Sequence, residues 1–126
     1  MNGILLLNND LKRLKALVKA LREGRRHETA HALAMRVTAL EDMERQHPGV
    51  SRAWPGTRVE LLNIDSGERY SYTLVYPGSA DGANGYISVL TPLGSALLGR
   101  EEGERFSYMA PGGMVRMELV ELGSDD

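Results

Sequence analysis

Apolar side chains recur at three- and four-residue steps through the first third of the chain, and every second residue through most of the rest. Leu11, Leu14, Leu17, Val18 and Leu21 line one face of a predicted helix whose opposite face carries Lys12, Lys15, Lys19 and Arg22. Asn8 or Asn9 is placed to cap its start. Gly24 interrupts the pattern, and a second stripe follows at Ala30, Leu33, Val37 and Leu40, ended by His47-Pro48-Gly49. Two such helices joined by a few residues pair antiparallel, each burying its stripe on the other. A rod of about 15 residues reaches about 22 Å at 1.5 Å per residue.

From Thr57 the period is two. Val59 and Leu61 oppose Leu62 and Ile64, and Asp65-Ser-Gly67 is turn chemistry. Arg69 to Tyr76 then sets Tyr70, Tyr72, Leu74 and Tyr76 against Ser71, Thr73 and Val75, so the two runs form a hairpin. Residues 77 to 85 read as a loop rich in Gly, Ala, Asp and Asn. Further strands carry Phe106 and Tyr108, then Val115, Met117 and Leu119, with Pro111-Gly-Gly113 turning between them. The alternation slips at Val120, the mark of a bulge, and residues 123 to 126 read as a frayed acidic end. Trp54, flanked by prolines, anchors the connector between the helical and strand regions.

Tyr86 to Gly99 combines both periods. Ile87 and Val89 belong to a strand, Thr91 has the hydroxyl of an N-cap, Pro92 suits the first helical position, and Gly99 supplies a left-handed stop. Leu93 and Leu97 share a face of the short helix between them, which covers an open face of the sheet. The corner at Leu90 to Leu93 is held rigid by both neighbours and is a candidate contact surface; the competing reading is that Thr91 and Pro92 only cap the helix. The fold class expected is therefore α+β, with residues 1–48 a short antiparallel helical hairpin and residues 49–126 an antiparallel β-sheet domain with one short helix.

A chain of 126 residues bounds one small core with an appendage. No apolar run approaches the roughly 20 residues of a membrane span, and Ile4 to Leu7 is too short for a signal-peptide core. With no cysteine and no export signal, a cytoplasmic location is expected, with no membrane partner. The net charge of −2 conceals a split: nine Lys or Arg against six Asp or Glu up to His47, then six against eleven. That basic excess is below what a dedicated nucleic-acid binder carries, so direct nucleic-acid binding is not expected.

His27-Glu28-Thr29-Ala30-His31 fits the H-E-x-x-H pattern of zinc peptidases, in which two His bind Zn²⁺ and the Glu activates water. It lies at the start of a hairpin helix beside Arg25 and Arg26, and the remaining histidine, His47, is several helical turns away. A zinc metallopeptidase is thus an alternative reading. No Walker loop, dinucleotide fingerprint or serine elbow is present, and no catalytic residue, metal ligand or cofactor is assigned.

Leu74-Val-Tyr-Pro77, Ile87-Ser-Val-Leu-Thr-Pro-Leu-Gly94, Ala96-Leu-Leu-Gly99, Glu102-Gly103 and Pro111-Gly-Gly113 occur in the order found in the C-terminal domain of the GreA/GreB transcript-cleavage factors, which the chain resembles over roughly residues 55 to 122. Within that superfamily it is most similar to the Rnk-like branch, the regulators of nucleoside diphosphate kinase. The resemblance implies an FKBP-like sheet domain preceded by a coiled coil, and binding to RNA polymerase at the rim of its secondary channel. It places the docking loop at Leu90, Thr91 and Pro92, with Ser88 and Leu93 completing the surface. Gre factors have an acid where Leu90 stands, whereas Rnk-like proteins are apolar there.

The resemblance also implies an acidic pair at the hairpin tip that helps to hold Mg²⁺. Here the tip is Arg22, Glu23, Gly24, Arg25 and Arg26, whose guanidinium groups repel a divalent cation. The expectation is a non-enzymatic transcription regulator that does not stimulate transcript cleavage and competes with Gre-type factors. Prolyl isomerase or chaperone activity is the alternative carried by the FKBP-like fold, and the apolar hairpin face is a candidate for homo-oligomer formation.

Overall fold

The computed structural model describes residues 2–124, with side chains from Asn9 to Gly123. The chain divides into two compact units between Val50 and Ser51. In the first, α1 (Asn2–Glu23) and α2 (His27–Gln46) form a hairpin. Leu14, Val18 and Leu21 of α1 and Ala30, Leu33, Val37 and Leu40 of α2 are buried, the stripes expected from the spacing. Lys15 Nζ of α1 donates to Glu41 of α2 at 2.7 Å across the hairpin. On the surface of α2, Arg45 pairs with Asp42 one turn before.

The helices are longer than the sequence reading. Asn8 and Asn9 do not cap α1 but lie inside it, because the helix starts at Asn2. Residues 4–7 are apolar helix formers or neutral, and two asparagines cost too little to break a helix of 22 residues. At 1.5 Å per residue the 22 residues of α1 span about 33 Å and the 20 of α2 about 30 Å, against about 22 Å in the sequence reading.

The second unit is a five-stranded sheet in the order β3-β2-β1-β5-β4. β1 (Thr57–Asn63), β2 (Arg69–Val75), β4 (Arg105–Ala110) and β5 (Gly113–Ser124) pair antiparallel. β3 (Tyr86–Ser88) pairs parallel with β2, so the sheet is mixed and the expectation of a wholly antiparallel sheet is corrected at this edge. The cause is the segment after β2, which contains two short 3₁₀ turns, Pro77–Ser79 and Gly82–Asn84, and carries the chain back along β2 so that Tyr86 enters beside Thr73. Strand β3 is also shorter than its apolar run, since Val89 and Leu90 already turn.

Between β1 and β5 the register shifts after Glu60: Glu60 faces Glu121 while Leu61 faces Leu119. Val120 is the extra residue, the bulge expected from the broken alternation. The C-terminal end is not frayed at residues 123 and 124, which pair with Arg58 and Thr57; Asp125 and Asp126 lie outside the described residues. At the β1–β2 turn, Asn63 Oδ1 accepts from the backbone N–H groups of Asp65 and Ser66, both at 3.0 Å. Asp65 is held below the usual carboxylate range by the hydrogen bond from Arg116 on β5.

Ala53, Val59, Leu61, Leu97, Phe106, Met117 and Leu119 form a closed apolar cluster, with Tyr70, Tyr72, Ile87, Leu93, Ala96 and Tyr108 packed against it. Two of these residues belong to β1, two to β5, and one each to β4 and α3 (Pro92–Leu97), so the short helix closes the core as the sequence required. A backbone strap fixes the far end of α3: Gly99 N–H donates to Ala53 at 2.7 Å and Ala53 N–H to Arg100 at 2.9 Å. Arg52, almost wholly buried, reaches the Gly99 carbonyl and Glu101, each at 3.3 Å.

Candidate functional site

The corner between β3 and α3 is built around one carbonyl. Ser88 C=O accepts from Thr91 N–H at 3.1 Å and from Thr91 Oγ1 at 2.8 Å. Thr91 Oγ1 in turn accepts from Gly94 N–H at 3.0 Å, the N-cap bond expected for this residue. Ser88 Oγ accepts from Leu90 N–H at 3.0 Å. The backbone N–H groups of Leu90, Thr91 and Gly94 thus all have partners inside the corner, and Val89 N–H ties it to Val75 of β2 at 3.0 Å.

Packing enforces that shape. An ideal Cβ at Gly94 would lie 1.9 Å from the Ser88 carbonyl oxygen and 2.9 Å from Thr91 Oγ1. The first turn of α3 sits on β3 at a distance that only glycine permits. Sequence reading missed this role, although a lone glycine among leucines in a short helix is the signal of close backbone approach.

The five residues assigned to the docking surface therefore separate. Leu90 is half-buried, Thr91 and Pro92 are exposed, and these three form the outward rim. Ser88 is buried and works from inside, and Leu93 packs against the core cluster. The Thr91 hydroxyl is consumed by the cap. Thr91→Ala should lower the stability of the sheet unit by about 1 kcal/mol, and Thr91→Ser should restore most of it, measured by urea unfolding.

The hairpin tip has a different logic. Arg26 N–H donates to Leu21 C=O at 2.8 Å and Arg25 N–H to Arg22 C=O at 3.1 Å, the paired bonds of a Schellman end. The left-handed position in that motif is Arg25, with φ 64°, and not Gly24. Removing the left-handed penalty, less the extra chain entropy of glycine, makes Arg25→Gly stabilising by about 0.5 to 1 kcal/mol in thermal melts. Arg22, Glu23, Arg25, Arg26 and Glu28 are all exposed. Glu23 ends α1 and Glu28 lies in the first turn of α2, with two arginines between them in the chain.

His27, Glu28 and His31 occupy the exposed first turns of α2. Among the described residues no group of three or more His, Asp or Glu side chains converges to hold a metal ion. No helix among the described residues is long and apolar enough to cross a membrane.

A helical hairpin joined to a sheet unit with a short helix is the architecture of bacterial transcription elongation factors of known structure. The solved GreA/GreB factor from Nitrosomonas europaea superposes with a TM-score of 0.61 at 29% identity, covering 90% of this chain and 93% of that one. GreA factor homolog 1 of Thermus thermophilus shares the fold at a TM-score of 0.54 and 24% identity, over 98% and 92% of the two chains. The family model for the GreA/GreB transcription elongation factor C-terminal region matches residues 48–123, and the chain belongs to that family.

Among named relatives, GreA of Desulfovibrio desulfuricans is 48% identical over 65 residues, 52% of this chain but only 40% of that protein. GreA of Nitratidesulfovibrio vulgaris strain Miyazaki F is 32% identical over 140 aligned positions, 92% of this chain and 88% of the relative. That alignment has more positions than this chain has residues, so the relative carries segments with no counterpart here.

Proposed function

We propose that this protein is a non-enzymatic transcription regulator of the Rnk-like branch that binds RNA polymerase near its secondary channel. The observation that carries the reading is the clasped corner: in a chain of this family, Leu90, Thr91 and Pro92 stand outward on a loop tied by three side-chain hydrogen bonds. A preorganised loop loses little entropy on docking. Leu90 in place of an acid points to an apolar contact, and so to the Rnk-like branch.

The hairpin would partly obstruct the channel, as a coiled coil, without adding a metal ligand to it. Mg²⁺ binding needs converging oxygen ligands, and in the tip Glu23 and Glu28 stand among Arg22, Arg25 and Arg26. The sheet unit is FKBP-like in this reading but has no isomerase activity.

A transcript-cleavage assay on stalled elongation complexes tests the functional half of the proposal. The expected result is no stimulation by this protein alone and loss of stimulation when it is added in excess over a cleavage-active Gre factor. Cleavage stimulated by the protein itself, or no effect on the Gre factor, refutes the reading of the tip.

A further inference from the structure

The H-E-x-x-H stretch has no part in the function proposed above, yet the fold gives it a defined geometry. α2 begins at His27, and its first turn is closed by the bond from Ala30 N–H to Arg26 C=O at 2.9 Å, so His27 and His31 stand four residues apart on regular helix. Residues at that spacing are neighbours on one face, with Cβ atoms about 5 to 6 Å apart. At about 100° per residue the pair lies roughly 120° around the helix from the centre of the buried stripe of Ala30, Leu33, Val37 and Leu40. Both histidines are exposed. Each imidazole is therefore free to turn toward a shared ion without disturbing the packing against α1.

The residue types decide which ion. Imidazole nitrogen suits Zn²⁺, Cu²⁺ and Ni²⁺, whereas Mg²⁺ and Ca²⁺ need oxygen ligands. Arg25 and Arg26, exposed in the adjoining turn, oppose any cation through space, and Glu28, in the same turn of α2, offsets part of that charge. A hard ion held by charge alone gains nothing here. A metal–nitrogen bond does not depend on a charged ligand, so the pair selects the borderline ions.

Two imidazoles are all the chain supplies. Among the described residues no third His, Asp or Glu side chain converges on the pair. His47 caps the far end of α2, about 24 Å along the helix from His31. The remaining coordination positions of a bound ion belong to water.

We infer that His27 and His31 form a two-imidazole chelating site for a divalent ion of the Zn²⁺, Cu²⁺ and Ni²⁺ group, and that the bound ion clamps the first turns of α2 beside the hairpin tip. An ion that binds only the helical arrangement stabilises it as the site fills. The inference does not depend on polymerase docking, and it uses no residue of the corner.

The test is a calorimetric titration of the full chain with zinc chloride, beside magnesium chloride, with the imidazole signals of the three histidines followed by NMR. One Zn²⁺ per chain is expected, saturating below millimolar concentration, with shifts at His27 and His31 but not at His47, and a higher melting temperature of the helical circular dichroism. Mg²⁺ should produce none of these. His27→Ala and His31→Ala should each weaken binding by about ten-fold or more. Adding Ala32→His to the His31→Ala chain restores the number of histidines at a five-residue step, which turns the second imidazole away, and binding should stay weak. All three positions are exposed, so each variant should melt like the parent without metal. Affinity unchanged in His31→Ala, full affinity in the chain with Ala32→His, or no saturation at millimolar Zn²⁺ would each overturn the assignment.

Discussion

Replacing Gly94 by alanine should lower the stability of the sheet unit by about 3 kcal/mol or more, the largest effect expected of any single methyl group in this chain. The added carbon would stand 1.9 Å from the Ser88 carbonyl oxygen, a backbone atom that cannot rotate away. Either α3 lifts from β3 or β3 leaves β2. Lifting α3 also stretches the Gly94 N–H to Thr91 bond and draws Leu97 out of the core cluster. For a unit of this size the loss corresponds to a fall in melting temperature of more than about 10 °C. Calorimetry of Gly94→Ala beside Gly112→Ala checks it, because Gly112 has nothing within 4 Å of its Cβ position and should melt like the parent.

The second large effect belongs to the hairpin. Leu33 is 2% exposed within a helical pair whose buried side chains are few. Leu33→Ala should cost about 2 to 5 kcal/mol. A two-helix unit has little reserve against such a loss, since isolated helices are marginal in water. The expected result is a marked fall in helical circular dichroism while the β1–β2 and β4–β5 cross-strand contacts persist in NMR spectra. Concerted loss of both sets of signals would show that the two units melt as one.

Most of the architecture is legible in the sequence because it follows from local periodicity. The buried stripe of α2 is the apolar set at three- and four-residue steps, and the bulge at Val120 shows as a broken alternation. What escaped reading depends on contacts distant in sequence or on small energy balances. The parallel sense of β3 rests on where the segment of residues 76–85 delivers the chain, which no alternation encodes. The start of α1 was misplaced because asparagine is a good cap and yet only mildly unfavourable inside a helix. Gly24 drew attention as the breaker of the hairpin, whereas the left-handed residue is its neighbour Arg25.

The candidate site divides in the same way. Thr91 was legible as a cap, and it is one. That Ser88 is buried, and that Gly94 determines how closely α3 approaches β3, are properties of two backbones meeting across six residues. The outward rim of the corner is reduced from five residues to Leu90, Thr91 and Pro92, and the hydroxyl of Thr91 is already spent inward. A test of docking is therefore cleanest at Leu90 and Pro92, where a change leaves the clasp intact.

The most direct measurement is the affinity of the purified chain for core RNA polymerase, compared among the parent, Leu90→Arg and Pro92→Ala, with Met109→Ala as a surface control. Met109 is exposed on β4, away from the corner in sequence. The parent is expected to bind at micromolar concentration or tighter, Leu90→Arg to lose about ten-fold or more, Pro92→Ala to weaken measurably, and Met109→Ala to match the parent. Absence of binding by the parent, or equal binding by the parent and Leu90→Arg, would contradict docking through this corner.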